Sequence, residues 1–120
     1  MAHILIVDDS KSMRKMVKFA LETANHQIEE ADDGQAGLNA AKTVQYDMVI
    51  TDVNMPIMSG IELAKGLRAM PNYKFTPIIM LTTEAMAEKK AEGKAAGVTG
   101  WIVKPFQPDK LIAVVNKVTQ

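Results

Sequence analysis

Five short apolar runs, each closing on a polar residue and each followed by helix-spaced residues, leave this chain very few architectures. The runs are His3 to Val7, Gln27 to Ala31, Met48 to Thr51, Ile78 to Leu81 and Gly100 to Val103. They are four or five residues long, mostly β-branched or apolar, and bounded by turn formers, which predicts strands. Gln27 to Ala31 is the weakest of them. Between the runs the period changes. Met13, Met16, Val17, Ala20, Leu21 and Ala24 share one helical stripe. Ala36 to Lys42 is helix-prone and rich in small residues, and Ile61, Ala64 and Leu67 resume a stripe after a loop marked by Pro56 and Gly60. A polar, Ala-rich helix is predicted from about Met86 to Ala96, with Gly97 as its stop. Gly93 inside it costs about 1 kcal/mol against Ala. Leu111, Ile112, Val115 and Val118 complete a last helix, with Pro108 near its first turn.

Alternating strands and helices, with the central runs apolar throughout, predict a parallel sheet covered on both faces: a doubly wound α/β fold. At 120 residues the chain suits one domain over 1–120, with no output domain of its own. In such sheets ligands lie beyond the carboxyl ends of the strands. Those ends carry Asp8 and Asp9, Asp32 and Asp33, Asp52, Thr82, and Lys104. Lys plus Arg balances Asp plus Glu at 14 each, which argues against nucleic acid or an anionic membrane as partner. No apolar run spans a bilayer, no leader opens the chain and cysteine is absent, so cytoplasmic is the expected location.

Carboxylates gathered at one sheet edge repel unless a cation joins them, and an all-oxygen site suits Mg²⁺ or Mn²⁺. Lys104 would add a point charge for an anionic oxygen and Thr82 a hydroxyl donor. Metal, ammonium and hydroxyl around one carboxylate are what in-line phosphoryl transfer needs, since the work is positioning and charge neutralisation. Aspartate can itself be the nucleophile.

Five motifs then carry a family resemblance. They are Ile-Val-Asp-Asp-Ser at 6 to 10, Ala-Asp-Asp-Gly at 31 to 34, Thr-Asp-Val-Asn-Met-Pro at 51 to 56, Met-Leu-Thr-Thr-Glu at 80 to 84, and Gly-Trp-Ile-Val-Lys-Pro-Phe at 100 to 106. In this order and at strand ends, they make the chain resemble response-regulator receiver domains over essentially its whole length, and most of all the stand-alone chemotaxis type. The resemblance implies a flavodoxin-like sheet in the order 2-1-3-4-5. It implies that Asp52 accepts the phosphoryl group, that Asp9 binds Mg²⁺ directly and Asp8 through water, and that the Asn54 carbonyl completes the protein ligands. Lys104 would pair with the phosphoryl oxygens, Thr82 would move to hydrogen-bond them, and Trp101 would be the aromatic switch residue. Asn54 and Glu84 would tune hydrolysis towards a short-lived phosphoryl group, and Lys104-Pro105 would be cis.

The implied partners are a histidine kinase, a phosphatase, and a downstream protein such as the flagellar motor switch. That protein would be met on the fourth helix, last strand and last helix. Two other functions share the chemistry: a phosphorelay intermediate that passes the group to another histidine, and a Mg²⁺-dependent aspartyl-phosphate phosphohydrolase. The latter usually separates two first-strand acids by one residue, whereas Asp8 and Asp9 are adjacent. Two positions depart from the family pattern. Trp101 is bulkier than the usual Tyr or Phe, and Thr83 replaces a smaller residue.

Other polar residues have ordinary roles. Asp32 and Asp33 read as a turn and helix N-cap on a strand lateral to Asp52. Asp47 precedes the Asp52 strand and falls roughly 17 Å from Asp52 at ~3.3 Å per residue. His3 and His26 are lone histidines at strand starts. The nine methionines mostly fill the core, with Met55, Met58 and Met86 candidates for partner contact. Lys89, Lys90 and Lys94 mark a solvated helix face.

Overall fold

A computed structural model describes residues 1–119. The elements follow the predicted alternation: β1 (His3–Val7), α1 (Lys11–Glu22), β2 (Gln27–Ala31), α2 (Gly34–Thr43), β3 (Met48–Thr51) and α3 (Gly60–Arg68), then β4 (Ile78–Thr82), α4 (Ala87–Ala95), β5 (Gly100–Val103) and α5 (Pro108–Val118). All strand pairings are parallel and the order is 2-1-3-4-5. β4 runs one residue further than its apolar run, through Thr82, because Thr82 still pairs with Val103. α2 starts at Gly34, ahead of the expected Ala36, because Asp33 is the N-cap: its side chain accepts the Ala36 N–H at 2.8 Å.

Alternation along β1 divides the core in two. Ile4 and Ile6 join Val17, Leu21, Leu111 and Val115 under α1 and α5. Leu5 and Val7 face the other way, with Leu63, Leu67 and Tyr73. Central β3 and β4 are buried at every position, whereas edge strand β2 alternates exposed and half-buried residues, which explains its weak apolar signal.

One sequence expectation fails on α1. Val17 is 1% exposed but Met16 is 57% exposed. At 100° per residue Met16 lies about a quarter-turn round the helix from Val17, outside the face that meets the sheet. The two histidines have structural partners. His26 Nδ1 accepts the Ala2 N–H at 3.0 Å and its Nε2 meets Asn116 at 2.9 Å, so it ties the N-terminus to α5. His3 pairs with Glu29 on the neighbouring strand. Asp47 accepts the His3 N–H at 2.8 Å, at the strand ends opposite Asp52. Met55 and Met58 pack partly against the core, and Met86 is exposed.

Candidate functional site

β1 and β3 are adjacent, so the residues that follow them emerge side by side. Asp8 N–H donates to Ala31 O at 3.1 Å and Asp52 N–H to Val7 O at 2.9 Å, which extends the sheet pairing by one residue at each acid. Asp8 then turns into α1. Its Oδ1 accepts the Ser10 N–H at 2.9 Å, while Ser10 caps the helix by accepting the Met13 N–H at 3.2 Å. Arg14 donates to the Asp8 carbonyl at 2.6 Å and is itself held by Glu30 at 3.1 Å. Arg14 was not singled out from sequence. Its pattern is that of any polar helix position, and only the docking of α1 aims it at Asp8. Ser10 was not read as a cap either, although a serine just before an apolar stripe is the signal that would have found it.

Asp8, Asp9 and Asp52 each offer a carboxylate oxygen within 4.8 Å of the others. Asp8 is buried and Asp9 exposed. Lys104 follows β5, its backbone N–H bonded to Thr82 O at 2.8 Å. Its Nζ reaches across β4 and donates to Asp8 Oδ2 at 2.8 Å and Asp52 Oδ2 at 3.1 Å. The other Asp52 oxygen, Oδ1, accepts the Val53 N–H at 2.7 Å. Asp32 and Asp33, which follow the edge strand, are not in the cluster. Thr82 is fully buried at the next strand end, where its hydroxyl accepts the Glu84 N–H at 3.2 Å. Asn54 is exposed, two residues beyond Asp52. The Glu84 carboxylate accepts Met86 N–H at 3.4 Å, within its own loop. Its carbonyl accepts the Trp101 indole N–H at 2.7 Å. Lys104-Pro105 is cis.

Burial alone would push the Lys104 ammonium down, but the hydrogen bond to Asp8 and the charge of Asp52 outweigh it and hold Lys104 above the usual lysine range. A raised folded value contributes stability that is complete below the unfolded value, about 10.4, and fades as pH rises through the folded one. Thermal unfolding followed from pH 8 to 11 should therefore fall more steeply for the native protein than for Lys104→Met. Parallel profiles would contradict the bridge.

The β3–α3 loop carries the one strained residue near the acids. Ile57 has φ 70° and is 79% exposed. A β-branched residue in that region costs roughly 1–2 kcal/mol, and asparagine tolerates it. Little buried surface is at stake, so Ile57→Asn should raise urea-unfolding stability by about 1 kcal/mol. A lower denaturation midpoint would show that the Ile57 side chain contributes more than its backbone costs.

A doubly wound 2-1-3-4-5 sheet with an acidic cluster and a lysine at its carboxyl edge defines a flavodoxin-like α/β domain with an anionic site at the strand ends. The chain belongs to the response regulator receiver domain family, which it matches over residues 4–116. It is similar to chemotaxis protein CheY-3 of Vibrio cholerae, with 44% identity over 96% of this chain and 89% of the relative. The chemotaxis protein CheY of Pseudomonas aeruginosa is 39% identical, covering 96% of this chain and 94% of the relative. Among solved structures, chemotaxis response regulator CheY4 of Vibrio cholerae superposes with a TM-score of 0.93 at 51% identity, covering 98% of both chains. The protein is thus a response regulator of two-component signalling, and receiver domains are signalling switches. Neither the relay-intermediate nor the phosphohydrolase alternative is favoured by this membership. Among the described residues, no helix is long and apolar enough to cross a membrane.

Proposed function

We propose that Asp52 accepts a phosphoryl group from a phosphohistidine of a histidine kinase and that the change alters binding of a downstream protein. One observation carries this: Oδ1 of Asp52 is engaged by Val53 N–H at 2.7 Å, and Oδ2 is the oxygen facing Lys104 at 3.1 Å. Oδ2 is then the nucleophile. It attacks phosphorus in line with the P–N bond of the donor. That bond breaks, its electron pair stays on the imidazole nitrogen, and this nitrogen takes a proton from water. Lys104 Nζ transfers its hydrogen bonds to the phosphoryl oxygens and neutralises charge as it develops. The Thr82 hydroxyl, which already accepts from Glu84 N–H, retains its own proton to donate.

One ammonium against three carboxylates leaves negative charge uncompensated, and three oxygens within 4.8 Å suit a small hard cation. Asp8, Asp9 and Asp52, with the Asn54 carbonyl, would hold Mg²⁺ (or Mn²⁺), which when bound supplies further charge neutralisation for the phosphoryl oxygens. Asn54 and Glu84 would tune loss of the group to water.

The chemotaxis relatives support a motility role, and this reading takes the flagellar motor switch as downstream partner and a phosphatase to reset the signal. The partner surface of this reading is α4, β5 and α5. A cavity of about 340 Å³ there is lined by Trp101, Val103, Phe106, Leu111 and Val114, with Lys110 beside them. Apolar lining with lysine at the edge suits an amphipathic acidic segment.

The test is intact mass after incubation with acetyl phosphate, with Mg²⁺ and with EDTA. One labile phosphoryl group per chain, formed only with Mg²⁺, is expected. Metal-independent labelling, or rapid turnover of varied phosphate esters, would defeat the proposal.

A further inference from the structure

α4 has a single buried residue, and it is a glycine. Glycine is a poor helix former, so Gly93 at the one buried position of α4 needs a reason. A Cβ on Gly93 would stand 2.7 Å from Cζ3 and 3.4 Å from Cε3 of Trp101. The six-membered ring of the indole occupies the space that any other residue would fill. Trp101 lies on β5, paired with Met80 of β4, and its Nε1 donates to the Glu84 carbonyl at 2.7 Å. Glu84 belongs to the loop between Thr82 and α4, and its own N–H is bonded to the Thr82 hydroxyl. One side chain therefore touches α4, β5 and the β4–α4 loop together.

We propose that Gly93 is a positioning residue that seats the Trp101 indole, and that the seated indole clamps the β4–α4 loop through the Glu84 carbonyl. The bulk of tryptophan at this position is accommodated by a matching deletion on the facing helix. The pair acts as a unit: the notch has a purpose only for an indole, and the indole reaches Glu84 only from the notch. α4, β5 and the loop that carries Thr82's hydrogen-bond partner are then one mechanical body. The clamp is a property of the unphosphorylated protein and stands whether or not Asp52 takes a phosphoryl group.

The experiment uses Gly93→Ala, Trp101→Phe and the double variant, all unphosphorylated. Phenylalanine lacks both the outer ring and the N–H. Gly93→Ala in the native background should shift Trp101 emission to longer wavelength, increase acrylamide quenching and lower the melting temperature. In the Trp101→Phe background the same substitution should raise the melting temperature by about 3 °C or more, since only the helix preference for alanine remains. The sign reversal cannot come from a merely structural glycine. Trp101→Phe alone should speed amide exchange across Glu84 to Ala87 severalfold. A higher melting temperature for Gly93→Ala in both backgrounds, or unchanged emission, would overturn the seat. Unchanged exchange in Trp101→Phe would overturn the clamp.

Discussion

Asp52→Asn is expected to take up no phosphoryl group from acetyl phosphate under conditions that label every native chain, while remaining folded. The amide is nearly isosteric and can keep its oxygen on the Val53 N–H at 2.7 Å. Its nitrogen then replaces Oδ2, the oxygen that faces Lys104, and an amide nitrogen has no lone pair for attack on phosphorus. Electrostatics keep the variant stable. The substitution removes one attraction, to Lys104 at 3.1 Å, and the repulsion between Asp52 and two carboxylates within 4.8 Å. At an effective dielectric of about 20 these terms are each a few kcal/mol and opposite in sign, so they largely cancel. Mg²⁺ separates the two proteins. A ligand at 100 times its dissociation constant stabilises the native state by about 2.7 kcal/mol, and the variant, one carboxylate short, should gain markedly less. Melting curves with and without Mg²⁺ measure this directly. A phosphoryl group on Asp52→Asn would move the acceptor to another residue and remove the basis for Oδ2 as nucleophile.

What could be read in advance depended on whether the signal was local. The strands were legible because buried parallel strands are apolar along their length, as Met48 to Ile50 and Ile78 to Leu81 are. The acids at their ends were legible because residues after such strands collect at one edge. Asp33 could be recognised as an N-cap for the same local reason. Other features depend on distant parts of the chain. Lys104 bridges Asp8 and Asp52 across 96 and 52 residues, a distribution of one ammonium between two acids that strand order alone does not define. Met16 failed because an apolar stripe is wider than the face a sheet covers. Gly93, read as a weak point in its helix, takes its meaning from a ring eight residues later on another element. The resemblance supplied an aromatic at 101 but not the notch that admits an indole.

Gly60→Ala should be the most damaging small substitution in the chain. Gly60 was read only as loop punctuation. A Cβ there would stand 2.0 Å from the Asp52 carbonyl oxygen, 2.9 Å from its carbon and 3.2 Å from Val53 Cα. All three are backbone atoms, so no rotamer change relieves the clash. Neither side can slide away. Asp52 is held by its N–H to Val7 O, and Thr51 before it is paired with both Val7 and Met80. α3 is fixed at its start by a capping box between Ser59 and Glu62, and by Gly60 N–H donating to Val53 O at 2.9 Å. Overpacking against rigid neighbours costs about 3 kcal/mol or more, which corresponds to a fall in melting temperature of roughly 10 °C. Whatever native-like population survives must displace Asp52 itself. A misplacement of about 1 Å at a reacting atom costs roughly 100-fold in rate, so labelling by acetyl phosphate should slow by that order. Gly66→Ala is the control. Its Cβ would meet only the Leu38 side chain, at 3.2 Å, and it lies in a helix interior where alanine is preferred. Gly60→Ala should therefore lose both stability and phosphorylation while Gly66→Ala keeps both. Equal behaviour of the two alanines would mean that the α3 start does not press on the backbone of Asp52.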